Sequence, residues 1–274
     1  MANKDCSLKI INAGALHRVI GDCRELFLAK NPGITLEMKG VGSREGAKRL
    51  LSGEKYDIVA LADQALFAEL LVPELVENYF VFATDQIVIG YHRFSQGNQE
   101  INQDNWADIL LQPGVKFARS DHNLDPCGYR SLMVWQLAEK FYQRPGLANQ
   151  LEKACIPHTT YPKSLDLAGA LMAGEVDYAF LYSSEAKQLG FPYLSLPSKI
   201  NLSNPAYADY YDQAFLSVES KIPGKNIIIH GKPIEFAVGI VKTTQHPELA
   251  QAFIDLLTGP EGHTILEENG MVPC

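Results

Sequence analysis

Between residues 115 and 142 the chain runs through a strand, a polar corner and a helix in immediate succession. That order confines it to folds in which helices start where buried strands end. Val115 to Ala118 is a short apolar run, Ser120-Asp121-His122-Asn123-Leu124-Asp125-Pro126-Cys127-Gly128 forms the corner, and Leu132, Trp135, Ala138 and Tyr142 follow at helical spacing. Asp125 stands where a helix N-cap belongs, with Pro126 at the first helical position, where a missing N–H costs nothing. The first N–H groups of such a helix lack carbonyl partners, and the macrodipole adds partial positive charge, so the corner attracts anions. The same residues also make a purely structural helix start, with Arg130 pairing with Asp125. The segment alone leaves both readings open.

Similar corners precede it. Leu8-Lys9-Ile10-Ile11-Asn12 reads as a buried strand, and the helical repeat of Leu16, Val19, Ile20, Cys23 and Phe27 follows. At their junction, Asn12-Ala13-Gly14-Ala15, only the backbone groups of Gly14, Ala15 and Leu16 are available as donors. Ile34 to Met38 reads as a second strand, leading through Val41-Gly42-Ser43-Arg44-Glu45-Gly46 to a helix that Ser43 begins. Asp57 to Asp63 is a third strand, apolar enough to be buried on both faces, with a helix expected from Gln64 to Leu71. Three strand-helix units in a row predict an open α/β sheet, with ligands at the carboxyl ends of its strands.

Tyr79 to Tyr91 is longer than a typical strand. It reads as a crossing between two lobes near Ala83 to Asp85, a connection that permits closure by rotation; a long edge strand in one domain is the alternative. Beyond it, Trp106 shares a short helical face with Ile109 and Leu110 and is expected in a core. Helices are expected from Leu147 to Cys155 and after Thr160, the latter carrying Lys163 and Ser164. Gly174 to Ser184 gives a strand ending at Tyr182 and a further helix start. Tyr207, Tyr210 and Tyr211 are expected to pack. Ile227 to Ile229 and Pro233 to Val241 are expected to return the chain to the first lobe, and two helices close it. The predicted organisation is residues 1–84 with 230–274 as one lobe and 85–203 as the second. Residues 204–229 form an irregular return of open assignment.

Composition excludes several functions. The 274 residues suffice for two cores. A net charge of -8 without clustered Lys and Arg argues against nucleic acid and anionic lipid as partners. No window approaches the roughly 18 uncharged apolar residues that span a membrane. Met1 to Ser7 lacks the apolar core of a signal peptide, so the sequence reads as cytoplasmic or as a mature form whose leader has been removed. The cysteines at 6, 23, 127, 155 and 274 form no CxxC or metal-ligand spacing, and no cofactor motif is present. Cys127 at a helix start, beside His122 or His158, offers an enzymatic alternative through a lowered thiol pKa. No Ser/Cys-His-Asp order, phosphate loop or metal motif accompanies it, and the chain is read as no enzyme.

The string Leu124-Asp125-Pro126-Cys127-Gly128-Tyr129-Arg130-Ser131 resembles a segment of the archaeal-type tungstate/molybdate-binding proteins, extracytoplasmic receptors of ATP-driven (ABC) oxyanion importers. The resemblance continues in order and spacing through Gly14, Gly42-Ser43, the Trp106 segment, Lys163 to Leu167, Gly174 to Tyr182, and Leu196-Pro197 with Ile200-Asn201-Leu202. It implies an α/β, two-lobed periplasmic-binding-protein type II fold, each lobe a mainly parallel sheet flanked by helices. It also implies a monomer working in the periplasm or otherwise outside the membrane, which captures tungstate or molybdate between its lobes and delivers it to the importer's permease. By the same resemblance the oxyanion is bound at Gly14, Ala15, Ser43, Asp125, Pro126, Cys127, Ser164 and Tyr182. The Asp125 carboxylate would also reach the tungsten or molybdenum of the cargo, and the Tyr182 phenol would donate to an oxygen.

Two departures from the pattern stand out. Ala15 occupies the place of a serine, and Ser164 that of a glutamate which, with the aspartate, raises the metal of the cargo from four oxygens to six. Bound tungstate is therefore expected not to gain two carboxylate ligands. The departures also motivate an alternative receptor for sulfate, another small oxyanion or a small organic acid. Grip by amides and hydroxyls without cationic side chains is chemically sufficient, because hydrogen bonds to an ionised group are stronger than neutral ones.

Overall fold

The computed structural model describes residues 6–157, 160–220 and 224–274. They divide into two compact units, one from the N-terminal side to Thr84 joined by Glu235–Cys274, the other Asp85–Ile234. The first begins with β1 (Cys6–Ala13), a 3-10 turn (Gly14–Leu16) and α1 (His17–Lys30). It continues through β2 (Ile34–Val41), α2 (Ser43–Leu51), β3 (Ile58–Leu61), a single wide turn at Phe67–Leu71 and β4 (Val76–Thr84). The second unit starts with β5 (Ile87–Tyr91), α3 (Trp106–Leu110), β6 (Phe117–Ala118), α4 (Pro126–Phe141), α5 (Leu147–Ala154) and α6 (Ser164–Ala173). It is completed by β7 (Tyr178–Tyr182), α7 (Ser183–Gln188), β8 (Tyr193–Ser195), α8 (Ala208–Tyr211), β9 (Phe215–Glu219) and β10 (Asn226–His230). The chain then re-enters the first unit with β11 (Glu235–Val241), α9 (Pro247–Thr258), α10 (Pro260–Glu268) and β12 (Val272–Pro273).

In the first unit the strands run in the order β12-β4-β11-β3-β1-β2. β1 pairs in parallel with β2 and β3, as the strand-helix repeats predict, while β11 is antiparallel to β3 and β4 and β12 antiparallel to β4, so this sheet is mixed and not mainly parallel. Leu8, Ile10 and Ile11 are fully buried because β1 is covered on both faces, and Val19, Ile20, Cys23 and Phe27 form the inward stripe of α1. Cys23 is thus a small core residue.

The sheet of the second unit, β6-β7-β5-β8, departs from the expected strand sense. Only β6 and β7 are parallel, and β5 is antiparallel to both its neighbours. Apolar runs report burial on two faces, which central antiparallel strands share with parallel ones, so the sequence pattern does not carry direction. α4 is buried without interruption from Pro126 to Trp135. Its Trp135 meets Phe180 edge to face at 5.3 Å, and Trp106 packs on the same ring at 6.0 Å. A helix covered all round belongs to the core, so whatever its N-terminus holds is held rigidly.

The return differs from the sequence expectation. Ile227 to Ile229 do not lead back to the first unit; they form β10, antiparallel to β9 with Ile227 opposite Val218 and Ile229 opposite Leu216. Residues 205–219 and 226–230 carry a short helix and this hairpin in place of irregular chain, and the units change hands between Ile234 and Glu235. Tyr211 is fully buried and Tyr210 donates from its hydroxyl to the Leu137 carbonyl at 3.2 Å, the packing role expected of the tyrosines. Among the described residues no helix is long and apolar enough to cross a membrane.

Candidate functional site

In the first unit, register brings two corners together. Ala13 lies opposite Val41 across β1 and β2, and Asn12 opposite Ala60 across β1 and β3, so Gly14, Gly42 and Ala62 follow side by side at one edge of the sheet. Neither the turn at Gly14 nor α2 has a side-chain cap. Ser43, fully buried, accepts a hydrogen bond from the Ala62 N–H on its Oγ at 2.9 Å. A hydroxyl oriented by accepting directs its own hydrogen elsewhere, as a donor. Gly14, Ala15 and Ser43 thus share one strand edge. Next to Ser43, Arg44 is buried and neutralised by a two-point pair with Glu69 at 3.1 and 3.2 Å. Asn12, which sequence reasoning passed over, is fully buried at the end of β1; its Nδ2 donates to the Ala13 carbonyl at 2.8 Å, while its Oδ1 has no partner.

In the second unit Asp125 caps two helices. Its Oδ1 accepts from the Cys127 N–H at 3.3 Å at the start of α4, and its Oδ2 from the Ser164 N–H at 2.7 Å at the start of α6. Burial raises its pKa, opposed by those two N–H groups and by the charge of Arg130. Pro126 has no N–H to offer an anion, and its contribution is to begin α4. Ser164, expected to face a ligand, gives its N–H to Asp125 and its Oγ–H to Glu185 Oε1 at 2.7 Å. Arg130 Nη1 donates to the fully buried Tyr182 Oη at 2.7 Å. A phenol accepting from a guanidinium is polarised as a donor. Asp125, Cys127 and Ser164 are therefore brought together, and Tyr182 is tied to them through α4.

Cys127 is buried; its Sγ donates to the Phe180 carbonyl at 3.4 Å, and burial pushes its pKa well above the ordinary thiol value. A protonated core thiol is no nucleophile at neutral pH, which removes the physical basis of the enzymatic alternative. Of the two histidines named with it, His158 lies outside the described residues.

Two acidic groups escaped sequence reasoning. Asp85, buried where the chain enters the second unit, accepts from the Gln86 N–H at 2.7 Å and the Ser183 hydroxyl at 2.6 Å. Glu185 is 4 % exposed in the first turn of α7, and burial, reinforced by the charges of Asp125 and Asp85, pushes its carboxyl up to about 8. The available signal was its place, one helical turn beyond Tyr182.

The family described as bacterial extracellular solute-binding protein matches residues 8–272. The chain belongs to this family. An uncharacterized solute-binding protein of Petrotoga mobilis is 40% identical over 262 residues, covering 95% of this chain and 82% of that protein. The molybdate/tungstate-binding protein WtpA of Pyrococcus abyssi is 33% identical, covering 97% of this chain and 84% of that protein. Among solved structures, the periplasmic molybdate-binding protein of Azotobacter vinelandii superposes with a TM-score of 0.72 at 15% identity, over 97% of this chain and 98% of that one. At that identity the likeness is one of fold. This member of the solute-binding family therefore shares the α/β architecture of a periplasmic binding protein.

Proposed function

We propose that the protein is an extracytoplasmic receptor for tungstate or molybdate that passes its cargo to the permease of an ABC importer, working as a monomer and without catalysis. The reading is carried by the 33% identity to a molybdate/tungstate-binding protein across 97% of this chain. It is supported by the uncapped starts at Gly14 and Ser43 on one sheet edge and by the polarised phenol of Tyr182. The proposed donors are the N–H groups at Gly14 and Ala15, the Ser43 hydroxyl and the Tyr182 phenol. The N–H groups of Cys127 and Ser164 are both taken by Asp125, which holds the starts of α4 and α6 in place. Amides and hydroxyls can hold a dianion without a cationic side chain because each hydrogen bond to it is charge-assisted.

Alanine at position 15 and serine at position 164 favour a second reading, a pocket shifted towards sulfate or another small oxyanion. Isothermal titration and thermal unfolding against tungstate, molybdate, sulfate and phosphate separate the two. Tungstate or molybdate at about 100 times its Kd is expected to stabilise the protein by about 2.7 kcal/mol. Stabilisation by sulfate alone would establish the second reading, and the absence of any response to micromolar tungstate or molybdate would overturn the first.

Tyr182→Phe is expected to weaken tungstate binding about tenfold, the equivalent of one hydrogen bond to a charged group. The protein should remain folded, losing about 1–3 kcal/mol because buried Arg130 gives up one acceptor. Titration of the variant beside its melting curve checks both. Unchanged affinity would remove the phenol from the site.

A further inference from the structure

We propose that Glu185 is a ligand-contacting residue of the oxyanion site, donating a hydrogen bond to the bound anion from Oε2 as a neutral carboxylic acid. This rests on the oxyanion reading above and adds to it a residue and a proton. The geometry begins at Ser164. Its N–H is held by Asp125 Oδ2 at 2.7 Å and its hydroxyl by Glu185 Oε1 at 2.7 Å, so one helix start positions two carboxyl groups. Glu185 is 4 % exposed, and its Oε2 is buried with no hydrogen-bond partner. A buried carboxyl oxygen without a partner, beside a twin that is fixed, calls for a hydrogen-bonding partner.

The two carboxyls are not equivalent. Burial raises the pKa of Asp125 too, but two backbone N–H groups and the charge of Arg130 oppose that rise. Glu185 receives the Ser164 hydroxyl on Oε1 and is further favoured as an anion by the Tyr182 backbone N–H, but among the described residues no cation's charge acts on it. The charged and titratable groups around it are Asp125 at the start of α4, Asp85 ahead of β5, and Tyr182 at the end of β7, whose phenol Arg130 holds. Burial and the two aspartates place its pKa at about 8, so Glu185 is mostly an acid at neutral pH. A second carboxylate here would repel a dianion. An acid offers it a hydrogen bond, and because a protonated carboxyl is a poor metal ligand, Glu185 adds no oxygen to the tungsten or molybdenum.

The sign of the pH effect follows. Binding requires the protonated acid, so affinity is full below the pKa and falls as pH rises through about 8, with a proton taken up on binding above that value. At pH 9 about a tenth of the free protein carries the proton, giving about tenfold weaker binding than at pH 7.

The test is isothermal titration of the whole protein with tungstate and with molybdate at pH 7 and pH 9, in buffers of different ionisation enthalpy. Wild type is expected to lose about tenfold in affinity at pH 9 and to take up close to one proton per ion there. Glu185→Gln keeps a donor and cannot titrate. It should bind within a few-fold of wild type at pH 7 and show no loss at pH 9. Glu185→Ala should bind weakly at both. Proton uptake by wild type decides the matter without any variant, should a variant fail to fold. If wild type binds equally at both pH values without proton uptake, or if Glu185→Gln keeps the wild-type pH dependence, the role of Glu185 is refuted while the oxyanion reading stands. If wild type binds neither ion at either pH, the oxyanion reading itself falls.

Discussion

Gly128→Ala is expected to cost more than about 3 kcal/mol of stability and to abolish tungstate binding together with the start of α4, beyond the usual cost of overpacking because backbone must move. A Cβ at this position would lie 2.3 Å from the Ser120 carbonyl oxygen and 2.8 Å from the carbonyl carbons of Ser120 and Asp121. Those are main-chain atoms and cannot swing aside as a side chain would. The corner is also pinned from several directions: the Asp121 N–H bonds the Tyr161 carbonyl at 2.9 Å, the Asp125 N–H bonds the Asp121 carbonyl at 2.8 Å, and the Gly128 N–H bonds the Asp125 carbonyl at 3.0 Å. Relief of the clash therefore drags Asp125 away from the two amides it caps. Gly169→Ala provides the contrast. It is an exposed position inside α6 with nothing within 4 Å of an added Cβ, so alanine there should stabilise by up to about 1 kcal/mol through helix propensity alone. Thermal unfolding of the two variants beside wild type is the measurement. A Gly128→Ala protein that melts with wild type would show that the corner is not closely packed.

The first unit was legible because its information is local. Apolar runs of period appropriate to buried strands, each followed by a helix start, specify parallel strand-helix units, and those units alone put Gly14 and Ser43 at one sheet edge. In the second unit the same reading located Asp125, Ser164 and Tyr182 but not their relations. Ser164 reaches Asp125 across 39 positions and Glu185 across 21, and nothing in spacing encodes either bond. Ser164 reads as a ligand contact only until its N–H and hydroxyl are seen to be engaged by carboxyl groups. Strand direction was hidden for a related reason, since β5 looks the same from its residues whichever way its neighbours run. The hairpin of β9 and β10 escaped because both strands have one exposed face and are only five residues long, too little pattern to stand out from a loop.

Asp125→Ala should lower stability by about 2–4 kcal/mol, a loss made of the N-cap of α4 and of a buried N–H at Ser164 left without an acceptor. For the anion the two consequences of the substitution oppose each other. Removing a carboxylate beside a bound dianion relieves repulsion and by itself would tighten binding. Removing the tie between α4 and α6 loosens Cys127, Ser164 and, through Ser164, Glu185, and by itself would weaken binding. The second effect should win, because a misplacement of about 1 Å in a set of donors is felt by every bond the set makes. Asp125→Asn separates the contributions. One amide oxygen can replace one of the two acceptors, so the variant keeps a single cap, loses the charge and leaves one amide facing an NH2 group. The expected order of melting temperature is wild type, Asp125→Asn, Asp125→Ala, and the order of tungstate affinity should be the same. If Asp125→Asn instead bound tungstate more tightly than wild type while melting lower, charge repulsion would outweigh positioning, and the carboxylate would be present for the fold of α4 and α6 at the expense of the ligand. X-ray absorption at the tungsten edge adds a third reading: each Asp125 oxygen accepts one N–H and keeps a lone pair, so a fifth oxygen neighbour in wild type that is lost in Asp125→Ala would make this carboxylate a ligand to the metal.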